Sequence, residues 1–284
     1  FFRYLTFSPK FTRVTLEHFT DSIIIVSLNR PKQLNAMDWP VWEELPLVFK
    51  YINSLPKVKV VILKGNGKAF TSGLDLMSAQ ERVFGQVQEH SEDIGRRAIW
   101  YHNIIQIMQN TCSAPEICNV PVIAAIHGYC IGAGVDLTSA CDIRLASKDV
   151  KFTIKEVDVG LAADVGTLQR FPKVVASNSW VRDLVYTARF FDAQEAFENG
   201  YLSKVYDTHQ ELFEGAIEMA KSIAEKSQIS LIGNKNSIIF SRDHSVNEVL
   251  NQTKVNNMTY LHSELNMDSI RESLEVKLPK YSKL

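Results

Sequence analysis

His127-Gly128-Tyr129-Cys130-Ile131-Gly132-Ala133-Gly134-Val135-Asp136 follows an apolar run at residues 121–126 and decides how this chain is read. The run predicts a buried strand, the glycines a turn, and the segment beyond them a helix to about residue 140. Free backbone N–H groups at such a helix start favour negative charge. Small residues there let a ligand approach the backbone closely. The spacing is not Gly-x-Gly-x-x-Gly and no Gly-Lys-Ser/Thr follows, so a dinucleotide fingerprint and a phosphate-binding P-loop are both set aside.

Upstream, residues 14–19 alternate like a strand, and residues 23–28 form a short β-branched run that ends at Arg30-Pro31. Asp38 is placed to cap a helix over residues 38–55, with Pro46 predicting a kink or a later start. A third strand spans residues 58–63, and a loop runs from Gly65 to Gly73. Residues 91–117 are predicted helical, with Ile94, Ala98, Tyr101, Ile105 and Met108 on one face. Downstream, residues 143–146 and 152–154 are short strands and the chain after Asp164 turns helical. Leu212, Phe213, Ala216, Ile217, Ala220, Ile223 and Ala224 make one apolar stripe, and further helices span residues 229–240 and 246–261. Strand and helix alternate first and helix dominates later, which predicts one α/β core with a helical C-terminal part.

The 284 residues, 45% hydrophobic and 22% charged, suffice for a large core. The formal net charge is −1, from 31 Lys+Arg against 32 Asp+Glu, so no field-driven attraction to nucleic acid or membrane is implied. No apolar run approaches the roughly 20 residues of a membrane span. Cys112, Cys118, Cys130 and Cys141 form no Cys-x-x-Cys pattern, so neither a metal site nor a disulfide framework is expected. Arg3, Lys10 and Arg13 without any acid suggest an address or a frayed end within residues 1–13. The terminal Ser282-Lys283-Leu284 spells the peroxisomal import signal.

A second loop, Gly67-Lys68-Ala69-Phe70-Thr71-Ser72-Gly73-Leu74-Asp75-Leu76, follows the third strand. Two loops at the ends of neighbouring strands that each present one N–H to a single oxygen make an oxyanion hole. Asp136, Glu156 and Asp164 stand in apolar company, where burial raises a carboxyl pKa toward values useful for proton transfer. Plainer roles remain open for each: Asp136 as complement to a helix dipole, Asp164 as an N-cap, and Glu156 as a partner of Lys155 or an arginine. Ser72 and Ser139 lack a Gly-x-Ser-x-Gly context, so a nucleophile elbow is not expected.

Together these segments resemble the crotonase (enoyl-CoA hydratase/isomerase) superfamily. The resemblance rests on Arg30-Pro31-Lys32-Gln33-Leu34-Asn35-Ala36, the loop at residues 70–76, the turn at residues 127–136, Cys141-Asp142-Ile143-Arg144 and Gln169-Arg170-Phe171-Pro172. Residues 155–170, and Ser241-Arg242-Asp243-His244-Ser245-Val246 in the tail, are most similar to the Δ3,5-Δ2,4-dienoyl-CoA isomerases within it. By the resemblance, hydratases carry glutamate where this chain has Asp136 and glycine where it has Asp164. The turn departs from the usual Gly-Gly-Gly by placing Ala133 in the middle; alanine keeps the N–H.

The resemblance implies a spiral of ββα units over residues 14–206. A helical oligomerisation region follows over 207–284 and builds a homotrimer or homohexamer. It implies conversion of a 3,5-dienoyl-CoA to the conjugated 2,4-dienoyl-CoA in unsaturated fatty-acid β-oxidation, with CoA as part of the substrate and no metal or other cofactor. The substrate loop would be Ser72, Gly73, Leu74, Asp75 and Leu76, with Leu74 and Ala133 supplying the N–H groups. Glu156 would act at C2 and Asp164 at C6, the reverse assignment staying open, and Asp136 would tune the pair. The competing readings are a 2-enoyl-CoA hydratase and a non-catalytic CoA- or RNA-binding scaffold on the same fold. Peroxisome is the expected compartment, with the mitochondrion as a second.

Overall fold

The computed structural model describes residues 11–85, 93–261, 263, 266–270 and 274. Most of the N-terminal segment at 1–13 and the whole of Ser282-Lys283-Leu284 lie outside the described residues.

The central sheet has six strands in the order β1 (Val14–His18), β2 (Ile23–Leu28), β3 (Val60–Gly65), β4 (Val122–Ile126), β6 (Ile143–Ser147), β9 (Lys204–Tyr206). Its first pair is antiparallel and the other neighbours are parallel. A second sheet contains β5 (Tyr129–Ile131), β7 (Lys151–Thr153) and β8 (Phe191–Asp192). Single bridges at Met37–Leu74 and Thr71–Cys130 lie outside the named strands, the second of them on β5. The chain repeatedly makes a central strand, a short piece of the second layer and then a helix. β4, β5 and α4 (Ala133–Ser139) are one such turn; β6, β7 and α5 (Thr167–Val174) are another. This is the expected ββα spiral.

The central sheet is covered on both faces, which is why all six residues of β2 are buried. Ile24, Val26 and Leu28 face the main core, and Ile23 and Ile25 face α8 (His209–Ala224). The predicted stripe of α8 packs there through Leu212, Ala216 and Ala220. Its start is set by a capping box between Thr208 and Glu211.

Several expectations are corrected. Pro46 does not move the start of α1 (Trp39–Asn53), which runs on through it as expected. A proline inside a helix costs about 3 kcal/mol. Six buried side chains on α1, each contributing about 1.5–3 kcal/mol, outweigh that. The carbonyl that Pro46 leaves unpaired, Trp42 O, accepts the Thr111 hydroxyl at 2.6 Å. Asp38 precedes α1, but its side chain makes no cap bond and pairs instead with Arg13 and Arg30. After α2 (Leu76–Ala79), the long helix α3 (Ile94–Ile117) buries only its C-terminal half. Along the predicted apolar face Ile94, 78% exposed, and Ala98 are uncovered, whereas Tyr101, Ile105 and Met108 are half-buried and Met108 packs against the main core. The short strands β8 and β9 were not foreseen, because so few residues carry no readable period. The remaining helices are α6 (Asn178–Thr187), α7 (Ala193–Glu198), α9 (Gln228–Phe240) and α10 (Val246–Tyr260). Among the described residues no helix is long and apolar enough to cross a membrane.

Candidate active site

β3 and β4 are parallel neighbours, so the loops after them leave the same edge of the sheet. The main chain then joins these loops. Thr71 N donates to Tyr129 O at 2.9 Å and Ile131 N to Thr71 O at 3.1 Å. A Cβ added to Gly73 would lie 2.5 Å from Ile131 O and 3.7 Å from Ala133 N, so residues 73 and 133 are adjacent.

Most amides at this junction are engaged. Gly73 N donates to Thr71 Oγ1 at 3.0 Å, Asp75 N to Met37 O at 3.1 Å and Gly132 N to Thr153 O at 2.9 Å. Among the described residues the N–H groups of Leu74 and Ala133 find no protein acceptor. These are the two amides expected from the sequence to polarise an oxygen.

The segment at residues 30–36 is the scaffold of the first loop. Leu34 and Asn35 take left-handed conformations, at φ 49° and 55°. Asn35 Nδ2 donates to Ala69 O at 2.8 Å and to Asn66 O at 2.9 Å, while Asn35 O accepts Thr71 Oγ1 at 2.7 Å. The predicted loop residues therefore divide. Gly73, Leu74 and Ala133 meet at the junction. Ser72 turns into the scaffold, its N donating to Leu34 O and its hydroxyl to Gln33 O. Asp75 caps α2 through Ser78 N and accepts Arg30 Nη1 at 2.8 Å. Burial pushes its carboxyl up, but Arg30 and the Ser78 amide outweigh this and hold it below its ordinary value. Leu76 is exposed at the start of α2. Arg144 is likewise framework, buried with Nε on Tyr201 O at 2.7 Å.

The acids are brought together by α4, by the single helical turn Glu156–Val159 and by the loop before α5. Asp136 is fully buried in α4, and its Oδ1 accepts Thr167 N at 2.5 Å. The Glu156 carboxylate lies against the glycine turn: a Cβ on Gly132 would sit 3.3 Å from Glu156 Oε1. Gly132 has φ 49° and ψ −114°, a conformation that a side chain would strain. Asp164 O accepts Gln109 Nε2 from α3 at 2.7 Å. The Asp164 residue itself is exposed, contrary to the expectation of burial. Ala163 and Val165 turn inward on either side of it, which leaves Asp164 facing out.

Burial and the negative charge of Glu156 push Asp136 up to about 8. Burial, with a contribution from the Asp164 charge, raises Glu156, and the partial cover of its carboxyl raises Asp164 even though the residue is exposed. Asp136 Oδ2 and Glu156 Oε2 are buried without any donor. Two facing acceptors are stable together only when one carries a proton, so the pair shares one. The charges of all three acids bear on the thiol of Cys112, with burial the larger cause of its rise. Sequence reasoning missed Gln109 and the Thr167 amide. The only signal for Gln109 was the polar spacing along residues 109–116, which reads equally as a solvated face, and the Thr167 amide had none.

The arrangement offers two N–H donors for an oxygen that gains charge, and carboxyl groups able to take and give protons beside it. The family model for "Enoyl-CoA hydratase/isomerase" matches residues 18–282. A mitochondrial Delta(3,5)-Delta(2,4)-dienoyl-CoA isomerase of Rattus norvegicus is 43% identical over 265 residues, 92% of this chain and 80% of that protein. A peroxisomal protein of the same name from Arabidopsis thaliana is 37% identical over 98% of this chain and 99% of its own. The crystal structure of an enoyl-CoA hydratase from Bacillus anthracis superposes with a TM-score of 0.83 at 28% identity, covering 95% of this chain and 99% of that one. With this site on this fold, the chain belongs to the enoyl-CoA hydratase/isomerase family.

Proposed function

We propose that this chain is a Δ3,5-Δ2,4-dienoyl-CoA isomerase. The observation that carries this reading is a third acid, Asp164, whose charge bears on Glu156, which lies against the glycine turn that carries one of the two unengaged amides. The similarity to relatives bearing that name supports it.

The thioester oxygen is received by Leu74 N–H and Ala133 N–H. Glu156 takes a proton from C2. The electron pair forms C2=C3, the C3=C4 pair moves to C4=C5, and the C5=C6 pair takes a proton at C6 from Asp164. Oxidation state is conserved, so the step calls for no redox group; CoA belongs to the substrate. Each turnover leaves Glu156 protonated and Asp164 ionised. Asp164 faces solvent and reloads there. Glu156, half-buried, releases the C2 proton to solvent before the next turnover, and Asp136 beside it keeps its own.

The test is ultraviolet detection of conjugated diene formed from 3,5-octadienoyl-CoA, run beside hydration of crotonyl-CoA. Diene formation without comparable hydration is expected. Fast hydration with no diene identifies a hydratase, and inactivity toward both leaves a scaffold.

The exposed apolar residues of the helical tail, among them Ile238, Val246, Leu250 and Met258, suit burial between copies, in keeping with the homotrimer or homohexamer that the family resemblance implies. Light scattering that returns a monomer mass sinks that. The compartment is an organelle of fatty-acid breakdown, the peroxisome by way of Ser282-Lys283-Leu284, with the mitochondrion as the alternative the relatives' names raise. A reporter bearing the last dozen residues should become punctate, and dispersal with the tripeptide intact removes the peroxisomal assignment.

A further inference from the structure

Helix α3 presents Gln109, Ser113 and Glu116 on one face, at the helical spacing of four and then three residues. All three meet the segment that carries Asp164 and Thr167. Gln109 Nε2 donates to Asp164 O at 2.7 Å. Arg170 of α5 donates through Nη2 to Ser113 Oγ at 2.8 Å and through Nε to Glu116 Oε2 at 2.8 Å. The other Glu116 oxygen accepts Arg242, which follows α9 in the helical tail. The three charged side chains are mostly buried, at 15% exposure for Arg170 and Glu116 and 20% for Arg242. This cluster lines a cavity of about 360 Å³ that also has Asp164 on its wall.

Arg170 also touches the chain just ahead of α5. A Cβ on Gly166 would lie 2.3 Å from Arg170 Nη1, and Gly166 adopts φ 146°. The guanidinium is thus pressed against the residue between Val165 and Thr167, and Thr167 N–H is the donor to Asp136. Fixing Arg170 fixes where the Thr167 amide and Asp164 stand. Removing one member of a buried, hydrogen-bonded charge group leaves its partners uncompensated and free to move.

We propose that Glu116 is a positioning residue for the reaction. By dividing its carboxylate between Arg170 and Arg242, it sets the seat of Asp164 and Thr167 relative to Glu156, and it makes that seat depend on docking of the helical tail. This rests on the isomerase reading of the site. Glu116 touches no reacting atom; the amides of Leu74 and Ala133 are held by main-chain bonds without it, and it reaches Glu156 only through Thr167 and Asp136, less directly than it reaches the loop of Asp164.

The experiment separates the two halves. Glu116→Gln is compared with wild type in 3,5-octadienoyl-CoA and deuterated solvent, and exchange at C2 is measured against formation of conjugated diene. The ratio of exchange to product should rise about tenfold, with KM within twofold. Arg242→Met should raise it severalfold, and Arg242→Lys should restore most of it. Asp243→Asn, which removes the partner of Lys173 on the same cavity, should leave the ratio unchanged. An unchanged ratio in both Glu116→Gln and Arg242→Met overturns the proposal, as does an equal fall in exchange and product. If Glu116→Gln does not fold, the Arg242 variants decide. Wild type that forms no diene removes the isomerase reading instead. The positioning is then read from hydrogen exchange of the Thr167 amide, which should quicken about tenfold in Glu116→Gln; no change there overturns it.

Discussion

The turn at residues 127–136 and the arm at residues 156–167 face each other across the site, and they are held by different means. The turn is locked by main-chain bonds to residues 71 and 153, and its residues are buried apart from Tyr129 and part of Ile131. The arm leaves Val157, Val159, Leu161 and Asp164 at the surface and is fastened by side chains from α3 and α5. A backbone-locked half tolerates a change of side chain as long as its N–H survives. A half fastened by side chains loses function one group at a time. For an intramolecular proton transfer this division is apt: the donors to oxygen must not move, while the acid at C6 must reach solvent to reload.

The largest effects should fall on the arm. Asp164→Asn and Glu156→Gln should each cut turnover by roughly a hundredfold to ten-thousandfold, the range for loss of a general acid or base. KM should stay nearly level. Only Glu156→Gln should also stop exchange of the C2 proton with deuterated solvent. Exchange that persists there while product stops reverses the two roles, and near-normal turnover in Asp164→Asn reduces that residue to a loop cap.

A comparable loss on the turn should need loss of an amide. Ala133→Pro deletes a donor and should cost about 3–4 kcal/mol of transition-state stabilisation. If this variant folds, assembles and stays active, the oxygen is not bound there.

A smaller effect tests the coupled pair. The Asp136 carboxyl is raised to about 8 in the folded chain from its ordinary 3.8, so between those values the folded state binds more protons than the unfolded state. Stability contributed by the neutral acid is present at low pH and is lost as pH rises through that window, by up to about 1.4 kcal/mol per unit. Asp136→Asn keeps an acceptor for Thr167 N–H and cannot ionise. Its urea midpoint should therefore fall less steeply from pH 4 to pH 8 than that of wild type, and parallel curves would refute the shared proton.

The smallest effect should come from Ala133→Gly. It keeps the N–H and should leave turnover within severalfold, at a cost of about 0.5–1 kcal/mol in helix stability.

The same division explains what could be read without a structure. Gly132, Ala133 and Gly134 announce a turn because main-chain geometry restricts which residues fit, and α8 is legible because seven apolar positions repeat with helical period. That α1 runs through Pro46 was legible, but its unmoved start was not, since the rescue comes from Thr111, far along the chain. Nor was the exposure of Asp164. Flanking Ala163 and Val165 suggested burial, but residues in a loop alternate in direction, so the neighbours are buried and the acid is not. Asp38 was misassigned as a cap for a related reason: Arg13 and Arg30 offer it ion pairs that local sequence cannot reveal.

Cys112, Cys118, Cys130 and Cys141 are all unpaired and buried, and burial raises every one of their thiols. Since the thiolate is the reactive form, the folded chain offers an alkylating or oxidising reagent almost nothing to attack. The thiols thereby become clocks. Labelling can proceed only as fast as the protein opens locally, and each cysteine times a different place. Cys112 lies under Ala133 O and Cys118 beside the end of α3. A substrate that seats itself on the turn at residue 133 should slow the first clock and leave the second running.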